Sequence, residues 1–217
     1  MSIPANHDEL RLAYAAGNLA EAPALVVATQ AALDPDCRRD VARFEALGGA
    51  ILETMAPAPL SRGAREEMLA LLDAPPPEAA ASAAAALPPA AGQVPAPLAR
   101  YLPAPLERLP WRQVTRGLRD WILPEMEGGR ARLMWVRGGT ALPKHTHNGP
   151  EMTLVLEGAY RDGAREYAAG DLQLADPSID HQPRVETRAP CLCLVVTDAP
   201  VRLTGRLGRF LNRFVRY

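Results

Sequence analysis

The chain has 217 residues and a mass of 23.4 kDa, room for one large domain or two small ones. Its 24 Lys and Arg stand against 25 Asp and Glu, and the resulting net charge of −1 argues against a global attraction for nucleic acid or an anionic membrane. Three cysteines, an odd and small number, argue against a disulfide-stapled secreted module.

The first residues, Met1 to Glu9, lack the basic-then-apolar pattern of a signal peptide, so a soluble cytoplasmic protein is expected. Residues 1–73 predict a small domain of four short helices. Leu10, Leu12 and Tyr14 mark the first, which Gly17-Asn18 closes. Pro23 suits the first turn of the second, which runs through Val26, Val27 and Ala28 to Leu33. Asp36 is the expected cap of a third, with Val41, Phe44, Leu47, Ile51 and Leu52 at helical spacing. Ser61 is the expected cap of a fourth, whose apolar stripe is Met68, Leu69, Leu71 and Leu72.

Residues 74–100 read as a Pro/Ala-rich linker: proline denies it a continuous helix and alanine offers little to bury. From Tyr101 the pattern turns to short strands, including Trp121-Ile122-Leu123, Arg132 to Val136, Met152 to Leu156, Asp171 to Leu174 and Cys191 to Val196. Regular strands without helices between them predict a β-sandwich or barrel over residues 101–217, so the chain reads as an α+β multidomain protein. Leu203 to Val215 returns to helical spacing, with Leu203, Leu207, Phe210, Leu211 and Phe214 opposite Arg206, Arg209, Arg213 and Arg216; packing of its apolar stripe on the barrel is expected. Charge divides with the linker. Residues 1–73 carry 11 acidic and 6 basic side chains, a net of −5, and the remainder carries 14 and 18, a net of +4.

The strongest chemical signal is Gly139 to Glu151. His145 and His147 are two apart, so on a strand both imidazoles share a face. Asn148-Gly149-Pro150 makes a turn that can return Glu151 beside them, and His181 follows a further hairpin. Three imidazoles and a carboxylate suit a divalent first-row metal. Cys191 and Cys193 also share a strand face. Buried packing is the expected role, and an oxidation-sensing pair is the alternative if they face the metal.

The spacing Gly139-x5-His145-x-His147-x3-Glu151-x6-Gly158, followed by Gly170, Pro177 and His181, resembles the cupin family. The resemblance implies a double-stranded β-helix (jelly-roll) barrel with His145, His147, Glu151 and His181 as metal ligands and room for a small-molecule ligand. Leu12 to Gly17, Leu25 to Thr29 and Gly170 to Pro177, with the order of the two parts, resemble the ChrR family of zinc-dependent anti-sigma factors. That resemblance implies a helical domain that binds and inhibits an extracytoplasmic-function sigma factor, with no direct nucleic-acid contact. It also implies a zinc-binding cupin domain that answers singlet-oxygen and related stress.

The family's helical domain holds a zinc of its own, through an early His and a later His-x3-Cys-x2-Cys. Here His7 matches the first ligand, but the later motif reads Gln30, Asp34 and Cys37. Only Cys37 keeps its ligand type, so this second site is expected to be weak or lost. Two other readings stand beside the regulator: a cupin dioxygenase using Fe, and a metal-binding scaffold without catalysis. Zinc is the metal the resemblance implies; Fe, Ni and Mn are the alternatives.

Overall fold

A computed structural model describes residues 3–4, 6–73 and 94–204. Helix α1 (His7–Ala15) starts at Asn6, whose side-chain oxygen accepts the Glu9 N–H at 2.9 Å. Helix α2 (Glu21–Leu33) carries one charge, at Glu21, and apart from Gln30 is otherwise apolar or small, the composition of an enclosed helix. Helix α3 (Pro35–Thr54) is capped by Asp34, whose carboxylate accepts the N–H groups of Asp36 and Cys37 at 2.9 and 3.2 Å. The cap therefore falls two residues before the expected Asp36. Pro35 has no N–H to satisfy and a fixed φ suited to the first helical position, so the helix begins there. Helix α4 (Ala64–Asp73) follows, and α5 (Ala96–Ala99) packs on α2 with Leu98 fully buried. Most of the Pro/Ala-rich stretch, residues 74–93, lies outside the described residues.

A 3-10 turn (Leu106–Arg108) leads into the strands β1 (Arg112–Thr115), β2 (Leu118–Ile122), β3 (Arg130–Val136), β4 (His145–His147), β5 (Glu151–Glu157), β6 (Ala159–Asp162), β7 (Arg165–Ala168), β8 (Leu172–Ala175), β9 (Asp180–His181), β10 (Cys191–Thr197) and β11 (Val201–Leu203). Among the described residues they form an antiparallel sheet ordered β1-β2-β3-β10-β5-β8, a smaller sheet ordered β11-β4-β9, and the hairpin β6-β7. Helices followed by this layered antiparallel β unit give the α+β fold expected from the sequence.

The central strands are buried on both faces, which explains their unbroken apolar runs. On β10, Leu192, Leu194 and Val196 face the helices, while Cys191, Cys193 and Val195 face the barrel interior. On β5, Met152, Leu154 and Leu156 join the first group and Val155 the second. Helix α2 lies over the outer face, and Leu25, Val26 and Val27 share one hydrophobic cluster with Leu133, Met152, Leu154, Leu194 and Val196. Its first turn docks on the β2–β3 loop, where Ala22 N–H donates to the Glu127 carbonyl at 2.9 Å. Gly128 next in that loop has φ +87°, and a Cβ there would collide with Ala20. Gly158 turns β5 into β6 at φ +78°, where a Cβ would strike the Pro190 carbonyl.

Leu203, expected to open the last helix, instead sits in β11 opposite His145, drawn into the pairing edge of β4. The rest of that expected helix, residues 205–217, lies outside the described residues.

Candidate metal centre

The two sheets meet where β4 and β9 approach the start of β5. His145 and His147 on β4 point to one side, and Thr146 between them turns away to donate to the Pro177 carbonyl at 3.0 Å. Antiparallel pairing sets His181 of β9 directly opposite His145. The Asn148-Gly149-Pro150 turn then places Glu151 at the head of β5. Among the described residues these four form the one group of His, Cys, Asp or Glu whose ligand atoms all lie within 4.8 Å. All are buried, at 8, 3, 8 and 7% exposure for His145, His147, Glu151 and His181.

Hydrogen bonds decide what this cluster can accept. His145 Nδ1 lies 2.8 Å from the Pro143 carbonyl, and His181 Nδ1 lies 2.6 Å from an Asp162 oxygen. Both partners can only accept, so each Nδ1 carries its proton and each Nε2 keeps a bare lone pair. Those Nε2 atoms face each other at 3.2 Å, and His147 Nε2 lies 2.9 Å from that of His181. Converging lone pairs in a buried site repel, and a cation between them removes the repulsion. Burial, reinforced by the neighbouring imidazoles, pulls His147 down to about 4, and burial also lowers His145. Burial raises Glu151, whose Oε2 stands 3.6 Å from His147 Nδ1. Neutral imidazoles are the form that binds a metal, and a divalent cation supplies the charge that a buried carboxylate lacks. The donor set therefore fits a first-row divalent metal.

The thiols of Cys191 and Cys193 lie 3.6 Å apart in the interior. The Cys191 hydrogen bond and burial hold the Cys193 thiol well above its usual range, and the charge of Glu151 acts in the same direction. Asp162, the partner of His181, was not legible as a site residue. Asp162-Gly163 reads as an ordinary hairpin turn, and nothing in its spacing points to His181.

The residues expected as a remnant second site are engaged otherwise. Both Asp34 oxygens cap α3, and Gln30 Nε2 donates to the Gly170 carbonyl at 3.2 Å, tying α2 to the β7–β8 turn. Cys37 is buried beside the Arg11 guanidinium, and burial raises its thiol. Burial lowers His7, and the charges of Arg11 and Arg165 add to that effect. With Gln30 a poor ligand and the Asp34 carboxylate committed to the helix cap, these residues do not fit a closed zinc site.

Fold and cluster together define a cupin carrying a candidate metal centre beneath a helical N-terminal region. No helix among the described residues is long and apolar enough to cross a membrane. Residues 103–200 match the family described as the ChrR Cupin-like domain. Over 209 residues, 96% of either chain, the protein is 43% identical to the anti-sigma-E factor ChrR of Cereibacter sphaeroides. The crystal structure of Rhodobacter sphaeroides SigE in complex with the anti-sigma ChrR contains a similar chain, with a TM-score of 0.72 and 41% identity over 89% of this chain and 97% of that one. The chain belongs to the ChrR family.

Proposed function

We propose that this protein is an anti-sigma factor whose helices bind and silence an extracytoplasmic-function sigma factor, and whose metal-bearing cupin domain makes that grip responsive to oxidative stress or a small ligand. The observation that carries the reading is an apolar surface that no described residue covers. Ile51, Leu52 and Met55 at the end of α3 and Met68, Leu71 and Leu72 on α4 are each more than half exposed, Leu72 at 76%. None of the described residues of α4 is buried. A helix so short gains little from propensity alone, and its apolar stripe is supported by burial against a partner. The net of −5 on residues 1–73 suits a partner whose surface is built to meet DNA and is therefore basic.

The relatives support the same partner class. One is named an anti-sigma factor, and the other was crystallised with its sigma factor. The donor set supports a resident metal, with zinc as the reading and iron, nickel or manganese as the alternatives. When bound, the metal would cross-link β4, β5 and β9 through His145, His147, Glu151 and His181. A dioxygenase needs substrate space beside its metal. Here the buried side chains of Tyr160 and Cys193, in one apolar cluster with Val155 and Val195, stand close enough to Glu151 to feel its charge and take up space on that side, which favours regulation over catalysis.

The test pairs metal content with partner binding. The purified full chain is expected to hold one zinc, absent from a His145→Ala/His147→Ala variant. Co-expressed with each extracytoplasmic-function sigma factor of its own genome, it is expected to form a stable complex with one of them and to block that factor's transcription in vitro. Failure to bind any of them would reject the anti-sigma reading, and two tightly held zinc ions would restore the N-terminal site.

A further inference from the structure

A line of side chains leads away from the candidate metal centre on the side of His181. Asp162, at the end of β6, places one oxygen, Oδ2, 2.6 Å from His181 Nδ1, and the same oxygen accepts Gln173 Nε2 at 2.7 Å. Gln173 Oε1 in turn accepts the Tyr160 hydroxyl at 2.7 Å. Gln173 and Tyr160 are 7 and 5% exposed, and Tyr160 is stacked on Tyr167 at a centroid distance of 5.1 Å. The assignment of every proton follows from the carboxylate. A carboxylate only accepts, so the Gln173 amide must turn its NH2 to Asp162 and its oxygen to Tyr160, and His181 must carry its proton on Nδ1. Arg161, the neighbouring cation, is held by Glu166 and Glu186 and leaves the Asp162 oxygen to these two donors.

We propose that Asp162, braced by Gln173 and Tyr160, is a positioning residue for the metal centre: it fixes the tautomer and ring orientation of His181 and presents Nε2 to the cation. The proposal rests on the metal-centre reading above. It gives the β6-β7 hairpin a role, since this separate two-stranded unit delivers the carboxylate to a ligand carried by another sheet. Ligating imidazoles held through their second nitrogen by a carboxylate are stronger and better aimed ligands, and loss of such a partner commonly lowers metal affinity about 10–100-fold.

The experiment uses the full chain loaded with Co(II) and Zn(II), with affinity read by competition against a chromogenic chelator and geometry by the Co(II) d–d absorption. Asp162→Asn keeps the shape and removes the charge. It is expected to weaken both metals by about 10–100-fold and to alter the cobalt spectrum, with the melting temperature of the metal-free protein unchanged. Gln173→Leu leaves the carboxylate in place without its brace and is expected to weaken binding severalfold; it decides the matter if Asp162→Asn does not fold. Affinities within twofold of the parent and a superimposable cobalt spectrum would overturn the proposal while the metal centre stands. A lower melting temperature of the metal-free variant with an unaltered spectrum would overturn it too, by assigning Asp162 a structural role. A parent chain that binds neither metal would bring down the metal-centre reading and this proposal with it.

Discussion

A buried imidazole is a poor base until something stabilises its charged form, and at His147 the neighbours make it poorer. In the metal-free chain it stays neutral down to about pH 4, whereas the unfolded chain protonates it near the usual 6.5. Between those values the unfolded state holds more protons, so the contribution of His147 is fully present above pH 6.5 and is lost as pH falls toward 4. Glu151, raised by burial, acts in the opposite sense, so the histidine is isolated by difference. The stability advantage of metal-stripped parent over His147→Asn is expected to shrink by about 2–3 kcal/mol from pH 7 to pH 4 in urea titrations. A constant advantage would mean that His147 is not desolvated. These ligands were legible in the sequence because strand alternation and one turn dictate where His145, His147 and Glu151 meet. Asp162 was not, because its partner is brought to it by pairing between β4 and β9 and no local spacing records that.

At the scale of elements, an apolar stripe says that a helix wants cover but not what supplies it. The helical spacing of Leu47, Ile51, Leu52, Met68 and Leu72 reads as core, yet all five are more than half exposed. Helix α2 is the converse case. Its charge-free run from Ala22 to Leu33 belongs to a helix enclosed on several sides, and it lies between α1, α3, α5 and the outer face of the sheet. Among the described residues the stripe of α3 and α4 lies open, as a partner-binding surface would. Ile51→Asp and Leu72→Asp are each expected to weaken the sigma-factor complex at least tenfold, since burying one such side chain is worth about 1.5–3 kcal/mol. They should shift the stability of the free chain by no more than about 0.5 kcal/mol, the usual range for exposed positions. Calorimetric binding and thermal melts of the same samples separate the two effects. Unchanged affinity in both variants would move the docking surface elsewhere.

Across the described molecule, helix α3, whose end carries half of the proposed partner surface, and the candidate metal centre are joined by one layer of packing. Glu151 turns into the barrel while Met152, the next residue, lies fully buried in the cluster shared with α2. Gln30 reaches from α2 to the Gly170 carbonyl, and Ala22 is pinned to the Glu127 carbonyl. In turn α2 packs against α1 and α3, which Arg11 and Asp40 bridge at 2.7 Å. Composition divides this chain at a proline-rich stretch, but composition cannot show that a helix before the division completes the core of the sheet after it. If helices and barrel open as one unit, a metal bound to the folded state must stabilise both equally. Zinc at about 100 times its Kd contributes about 2.7 kcal/mol, or roughly 100-fold slower exchange of amides that open only with the whole unit. Hydrogen exchange followed with and without zinc is expected to slow the most protected amides of α2 by the same factor as those of β5 and β10. Slowing confined to the strands would make the helices an independent unit, and the metal state could then reach the sigma-binding surface only by some route other than the α2 seam.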